Sequence, residues 1–362
     1  MTAPAPAAAP AKGAAMARSS APRSRLLSAV LVLIFAGLAL APFVFPGSQS
    51  LNVAAKICYF IVLAASFDLL LGYTGIVSFA HTMFFGIGGY GAAISLYALA
   101  PDWTSLAIGT LAALVVSVLL ALLIGLFSLR VRAIFFAMIT LAVASAFAIL
   151  ASQLGWLTGG EDGRTFRVPE LLRPGTRLMD GTLFGVQING RLAAYYLVYA
   201  SMVLLFVTML RVVNSPFGSV LQAIRENDFR AEAIGYRTVV YRVVINCIAA
   251  AMATLAGVLC AVWLRYTGPG TTLSFDIMLD ILLIVVIGGM GTLYGAVIGA
   301  TLFLLAESYL QSLMGAFSAA TAGLPVLPQL FHPDRWLLWL GVLFILSVYF
   351  FPSGIVGRLR GR

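Results

Sequence analysis

The sequence predicts an all-α integral membrane protein: a polytopic bundle of about ten transmembrane helices, with broken or re-entrant segments and both ends in the cytoplasm. Three observations lead there. The chain of 362 residues is 61% hydrophobic and only 10% charged, whereas soluble domains carry roughly 25% charged residues to keep their surface in water. Its apolar residues fall in continuous runs near the ~20 residues that cross a hydrocarbon core of roughly 30 Å. Its basic residues concentrate in the stretches that fall on one side of those runs. A transmembrane barrel would instead show short alternating segments.

Residues 1–25 are rich in Ala, Pro and Ser and carry Lys12, Arg18, Arg23 and Arg25, which predicts a disordered basic cytoplasmic tail. The first apolar run, about 26–46, is longer than a signal-peptide core. Pro42, Phe43 and Phe45 offer no small-residue cleavage site, so it reads as a span. Further runs follow at about 51–71, 82–100, 104–128, 133–154, 193–212, 242–264, 275–289, 292–314 and 335–351. Residues 26–352 therefore form the membrane domain, and 353–362 a second basic cytoplasmic tail. Cys58, Cys247 and Cys260 lie in apolar runs without metal-ligand spacing and read as small hydrophobes.

Charge sets the orientation. An inner N-terminus places Lys12, Arg18, Arg23, Arg25, Arg130, Arg132, Arg211, Arg225, Arg230, Arg237, Arg242, Arg358, Arg360 and Arg362 on the cytoplasmic side, fourteen of the 22 basic residues. The net charge of +9 is thus a topology signal, and it argues only weakly for a nucleic-acid partner. Membrane lipid is the expected surrounding.

Two loops are long enough to carry function. The outer one, about 155–192, mixes Glu161, Asp162, Glu170 and Asp180 with five arginines; it reads as a lid, a docking surface or a plain connector. The inner one, 213–241, begins with Ser215 and Pro216, a hydroxyl cap followed by a residue with preset φ. Phe217, Val220, Leu221 and Ile224 recur at helical spacing. Asp228 is the expected cap of a second short helix, and Gly235 the residue that ends it in the left-handed conformation. Two short amphipathic helices with mixed charge suit docking into a groove on a partner protein. Helices lying flat on lipid would favour lysine on the polar face and large aromatics opposite.

Three segments carry a family resemblance: SPFGSVLQAIRENDFRAEAIGY at 215–236, GYTGIVSFAHTMFFGIGGYGAA at 72–93 and VVIGGMGTLYGAVIGA at 285–300. Together they span most of residues 50–310 in the family's order and spacing, and they resemble the branched-chain amino acid ABC transporter permeases of the LivM type. The resemblance implies the transmembrane permease subunit of a binding-protein-dependent importer in a bacterial inner membrane. Its substrates would be branched-chain or related hydrophobic amino acids. It also implies four partners: a second, LivH-type permease, two cytoplasmic ATPase subunits and a periplasmic amino-acid-binding protein. On that resemblance the ATPase-coupling residues are Ser215, Pro216, Phe217, Gly218, Ala223, Arg225, Glu226, Asn227, Asp228, Arg230, Ala231, Glu232 and Gly235. The long N-terminal tail and an insertion around 315–334 depart from the family pattern without touching these motifs.

The remaining residues fit a non-enzymatic subunit. A Walker A motif needs lysine followed by Ser or Thr. Lys12 precedes glycine and Lys56 precedes isoleucine, so ATP and Mg would sit on partner subunits, with no cofactor or metal here. The GxGxxG match from Gly86 to Gly91 lies inside an apolar run and reads as close helix packing.

Gly72-Tyr73-Thr74-Gly75 and Gly288-Gly289-Met290-Gly291 interrupt apolar runs. Interrupted helices at membrane depth are tolerated where protein or a water-filled cavity satisfies the backbone. The expected translocation-pathway residues are accordingly Asp68, Gly72, Thr74, Gly75, Ser78, His81, Gly288, Gly289 and Gly291; tight turns between spans are the alternative. Of the other charges in spans, Asp276 and Asp280 sit one turn apart near the outer surface, where they could meet an incoming zwitterion or the binding protein. Asn246 and Glu307 are expected to bond across helices. Other readings are a related importer for urea or short amides, and an autonomous secondary transporter. A membrane-embedded enzyme would need a cluster of His, Cys or carboxylates.

Overall fold

The computed structural model describes residues 24–45, 47–128, 133–183, 186–320, 331–351 and 354–359. Most of the expected N-terminal tail, the inner-loop residues Arg130 and Arg132, 321–330 of the insertion, and Arg360 and Arg362 lie outside the described residues. The first helix, α1 (Arg25–Val44), starts at Ser24, whose hydroxyl accepts the Leu27 N–H at 3.0 Å. Then come α2 (Ser48–Thr74), α3 (His81–Ala98), α4 (Trp103–Ser128) and α5 (Ala133–Gln153).

The outer loop is folded. It holds a one-turn helix α6 (Gly155–Thr158), strands β1 (Arg164–Thr165), β2 (Arg177–Leu183) and β3 (Val186–Asn189), and two 3-10 turns. β2 and β3 form an antiparallel hairpin. β1 pairs antiparallel with β4 (Tyr266–Thr267), and the Tyr266 hydroxyl donates to the Asp162 carbonyl at 2.9 Å, so the loop is tied down onto the bundle.

Then follow α7 (Gly190–Val213), α8 (Pro216–Glu226), α9 (Asp228–Ala233), α10 (Thr238–Leu264), α11 (Pro269–Thr272), α12 (Phe275–Gly288) and α13 (Leu293–Ala320). The described chain closes with α14 (Trp336–Phe350) and α15 (Gly354–Leu359). Among the described residues nine helical stretches are long and apolar enough to cross a membrane. α3 is the tenth apolar run. It starts after an irregular segment at 75–80, with the His81 ring edge-on to Phe67, which lies a full two turns before the end of α2. α1 packs against α15, the last helix of the described chain.

The core forms around α2, which α1, α7, α10, α12 and α13 enclose. Small residues set how closely the helices approach. A Cβ on Gly88 of α3 would overlap the Thr254 carbonyl of α10, and one on Gly257 of α10 would overlap the Phe85 carbonyl of α3. Polar side chains then find partners across helices. Thr254 donates to Ser117 at 2.7 Å, and Asn246 donates to the Ala121 carbonyl at 2.8 Å.

Proline explains a contact between α1 and α7. Pro42 has no N–H, so the Leu38 carbonyl one turn back loses its helical donor. The Tyr195 hydroxyl of α7 supplies one, and Tyr196 and Tyr199 donate to the carbonyls of Ala39 and Phe35 at 2.9 and 3.1 Å. α4, α5 and α14 turn large apolar side chains such as Leu119, Leu123, Ile149 and Ile345 outward, as a lipid-facing surface requires.

Candidate functional site

α8 and α9 form a short helical hairpin on the face where α2, α7 and α12 end and α10 and α13 begin. Ser215 caps α8, accepting the Gly218 N–H at 3.4 Å, and Pro216 occupies the first turn. Gly218, Leu221 and Ile224 are buried against the bundle, and Phe217 stacks on Tyr241 with ring centroids 5.5 Å apart. The cap of α9 differs from the expectation. It is Asn227, in extended backbone conformation, whose side chain accepts the Arg230 N–H at 2.9 Å. One residue thus closes α8, through its own N–H to Ala223, and opens α9. Asp228 falls in the first turn of α9, and its carboxylate pairs with Arg242 of α10 at 2.9 Å.

The end of α9 is as expected. Gly235 takes a positive φ of 96°, Tyr236 N–H returns to the Ala231 carbonyl at 3.1 Å and Gly235 N–H to that of Glu232 at 2.9 Å. This is a Schellman closure. Glu232 also accepts from the Thr238 hydroxyl at 2.7 Å, fixing the hairpin to α10. Ala223 is half-buried and Ala231 buried, while Glu226, Arg230 and Glu232 stay exposed. Two apolar residues absent from the expected set stand out: Phe229 is 82% exposed and Ile234 68%.

Arg225 points the other way. Its guanidinium donates to the Gly72 carbonyl in the last turn of α2. Asp68, one turn earlier and buried, accepts the Gly291 N–H at 2.8 Å from the turn between α12 and α13. Gly72 and Gly291 touch: a Cβ on Gly72 would overlap the backbone of Gly291. On the other side of the same turn, Gly288 abuts Gly295, and Gly354 of α15 abuts Gly289.

The structure therefore brings Asp68, Gly72, Gly75 and Gly291 together with Arg225, and sets Gly288 and Gly289 in the adjoining turn. Thr74 is buried at the end of α2, its hydroxyl bonded to the Leu70 carbonyl at 2.7 Å. Ser78 is buried in the segment leading into α3 and His81 at the start of that helix, with the His81 ring between Phe67 and Phe84. The expected cross-helix bond of Glu307 is an ion pair with Lys56. Among the described residues no three His, Cys, Asp or Glu side chains group as a metal site.

Residues 49–348 match the model of the branched-chain amino acid transport system permease component. The high-affinity branched-chain amino acid transport system permease protein LivM of Salmonella typhimurium is 26% identical over 299 residues, covering 79% of this chain and 69% of that protein. LivM of Escherichia coli is 25% identical over the same length and shares. A probable branched-chain amino acid transport permease protein LivM of Methanocaldococcus jannaschii is 24% identical over 330 residues, covering 82% and 90%. No solved structure matches.

Proposed function

The chain belongs to the family of branched-chain amino acid transport permease components, and from that membership we propose that it is the LivM-type subunit of a binding-protein-dependent importer. In this reading it sits in a bacterial inner membrane and pairs with a second, LivH-type permease. Two cytoplasmic ATPase subunits drive the pair, and a periplasmic binding protein delivers a branched-chain or related hydrophobic amino acid. The observation that carries the reading is the α8–α9 hairpin. It presents Phe229 and Ile234 outward while Arg225 grips the end of α2. Exposed apolar side chains among charges suit a groove on a partner protein.

The mechanism follows from the contacts. ATP-driven closure of the motor displaces α9, and α8 moves with it because Asn227 joins them without a linker. Arg225 carries the displacement to Gly72, and the Asp68 bond to Gly291 carries it to the α12–α13 turn. Asp68, Gly72, Thr74, Gly75, Gly288, Gly289 and Gly291 then act as the inner gate of the pathway, with Ser78 and His81 lining the segment above it. Glycine on glycine closes tightly and separates without leaving side chains to repack. Reconstituted vesicles test the reading: amino acid uptake should require ATP, the binding protein and all four membrane-associated subunits. Uptake by this chain alone, driven by an ion gradient, would refute it.

A further inference from the structure

Every residue of α2 from Val53 to Leu70 is buried except Lys56. Its Nζ reaches both carboxylate oxygens of Glu307 on α13 at 2.8 Å, and the two side chains remain 31% and 24% exposed. Lys56 lies eight residues past Ser48, about 12 Å along the helix at 1.5 Å per residue. α2, at 27 residues or about 40 Å, overhangs a centred core of roughly 30 Å by about 5 Å at each end, which leaves Lys56 about 7 Å inside it. Asp280 of α12 is half-buried, in the outer half of a helix that packs against both α2 and α13, and Asp276 stands one turn nearer the outer end.

Hydrocarbon is a costly neighbour for an ion pair left a quarter to a third exposed, so the open side of this cluster must face water or protein. Its charge pattern is specific. The pair neutralises itself, and neither Asp280 nor Asp276 is in an ion pair among the described residues. The unpaired carboxylate of Asp280 calls for a cation, which the ammonium of an amino acid supplies, and Lys56 can take the carboxylate that accompanies it.

We propose that the outer halves of α2, α12 and α13 line the translocation route, and that Asp280 with the Lys56–Glu307 pair is a transient site for the zwitterionic head group of the substrate. The ammonium meets Asp280 and Glu307, and the carboxylate meets Lys56. Each ion of the pair exchanges one partner for another, so none is left bare. The inference rests on the importer reading and deepens it. It also fits the fold, because the same three helices run down to the Gly72–Gly291 junction, sixteen residues further along α2, or about 24 Å.

Asp280→Cys in the assembled transporter, in vesicles, tests the site with a cationic, membrane-impermeant thiol reagent. Buried Cys58 and Cys260 and half-buried Cys247 are scored as background in the parent chain. The thiol should react, and leucine should slow the reaction severalfold while its deaminated acid, 4-methylpentanoate, does not. Asp280→Asn should lower uptake roughly tenfold, equal to about 1.4 kcal/mol, while ATP hydrolysis stimulated by the binding protein persists. An unreactive thiol, equal protection by both compounds, or undiminished uptake by the Asn variant overturns the proposal. Failure of the parent transporter to take up amino acid in a binding-protein-dependent way instead defeats the importer reading.

Discussion

Replacing Arg225 with alanine should uncouple the transporter without dismantling it. Carbonyls in the last turn of a helix lack intrahelical donors. At the end of α2, Leu70 and Leu71 receive the N–H groups of Ile76 and Gly75, whereas Gly72 receives the guanidinium of Arg225. Removing a charged donor from a part-buried carbonyl costs about 1.5–3 kcal/mol. Taking about 2 kcal/mol, the preference for α8 and α2 moving as one body falls roughly 30-fold. α8 itself stays seated through Leu221 and Ile224, and the exposed side chains of Phe229 and Ile234, the proposed motor contact, are unchanged. In proteoliposomes the Arg225→Ala transporter should hydrolyse ATP near the parental rate while amino acid moved per ATP drops roughly tenfold or more. Arg225→Lys keeps the charge but not the planar fork, and should fall between. An unchanged ratio would refute the reasoning. So would loss of the ATPase subunits with the ratio intact, because Arg225 would then belong to the motor contact.

Three further outcomes are expected. Gly257→Ala drives a methyl into the Phe85 carbonyl where α3 and α10 touch, so a detergent-solubilised thermal scan should show destabilisation of about 1–3 kcal/mol or more. Asn227→Ala removes the cap of α9, worth about 1 kcal/mol; co-purification of ATPase subunits should weaken while the membrane bundle melts unchanged. Tyr195→Phe strands the Leu38 carbonyl opposite Pro42 at about 1–3 kcal/mol. Adding Pro42→Ala restores an N–H donor in α1 and should recover most of that loss in a double-mutant cycle.

Local chemistry was legible in the sequence where neighbours decide it. Ser215 and Pro216 open α8 and Gly235 closes α9 because caps and left-handed turns depend on a few adjacent residues. Choosing between Asn227 and Asp228 as the second cap needed the backbone, since either side chain can cap and only Asn227 is extended. Both glycine breaks are readable as interruptions of apolar runs. Their contact, Gly72 on Gly291, depends on how α2 and α13 pack. Lys56 and Glu307 lie 251 positions apart, so periodicity within either helix says nothing of their pairing. Phe229 escaped notice because helical spacing marks which residues repeat, not which face stays open. The outer loop was legible only as polar and long. Its strand pairing with Tyr266 and Thr267 is a tertiary fact.

The central claim is that the α8–α9 hairpin is the seat of the motor. A photoreactive amino acid placed at Phe229 tests it most directly, because that side chain is the most exposed large apolar group on the hairpin. Irradiation of the assembled transporter should yield a covalent adduct with an ATPase subunit, and the same probe at Leu171 in the outer loop should yield none. Adducts from position 229 confined to lipid would contradict the account, since they would make the hairpin an interfacial anchor.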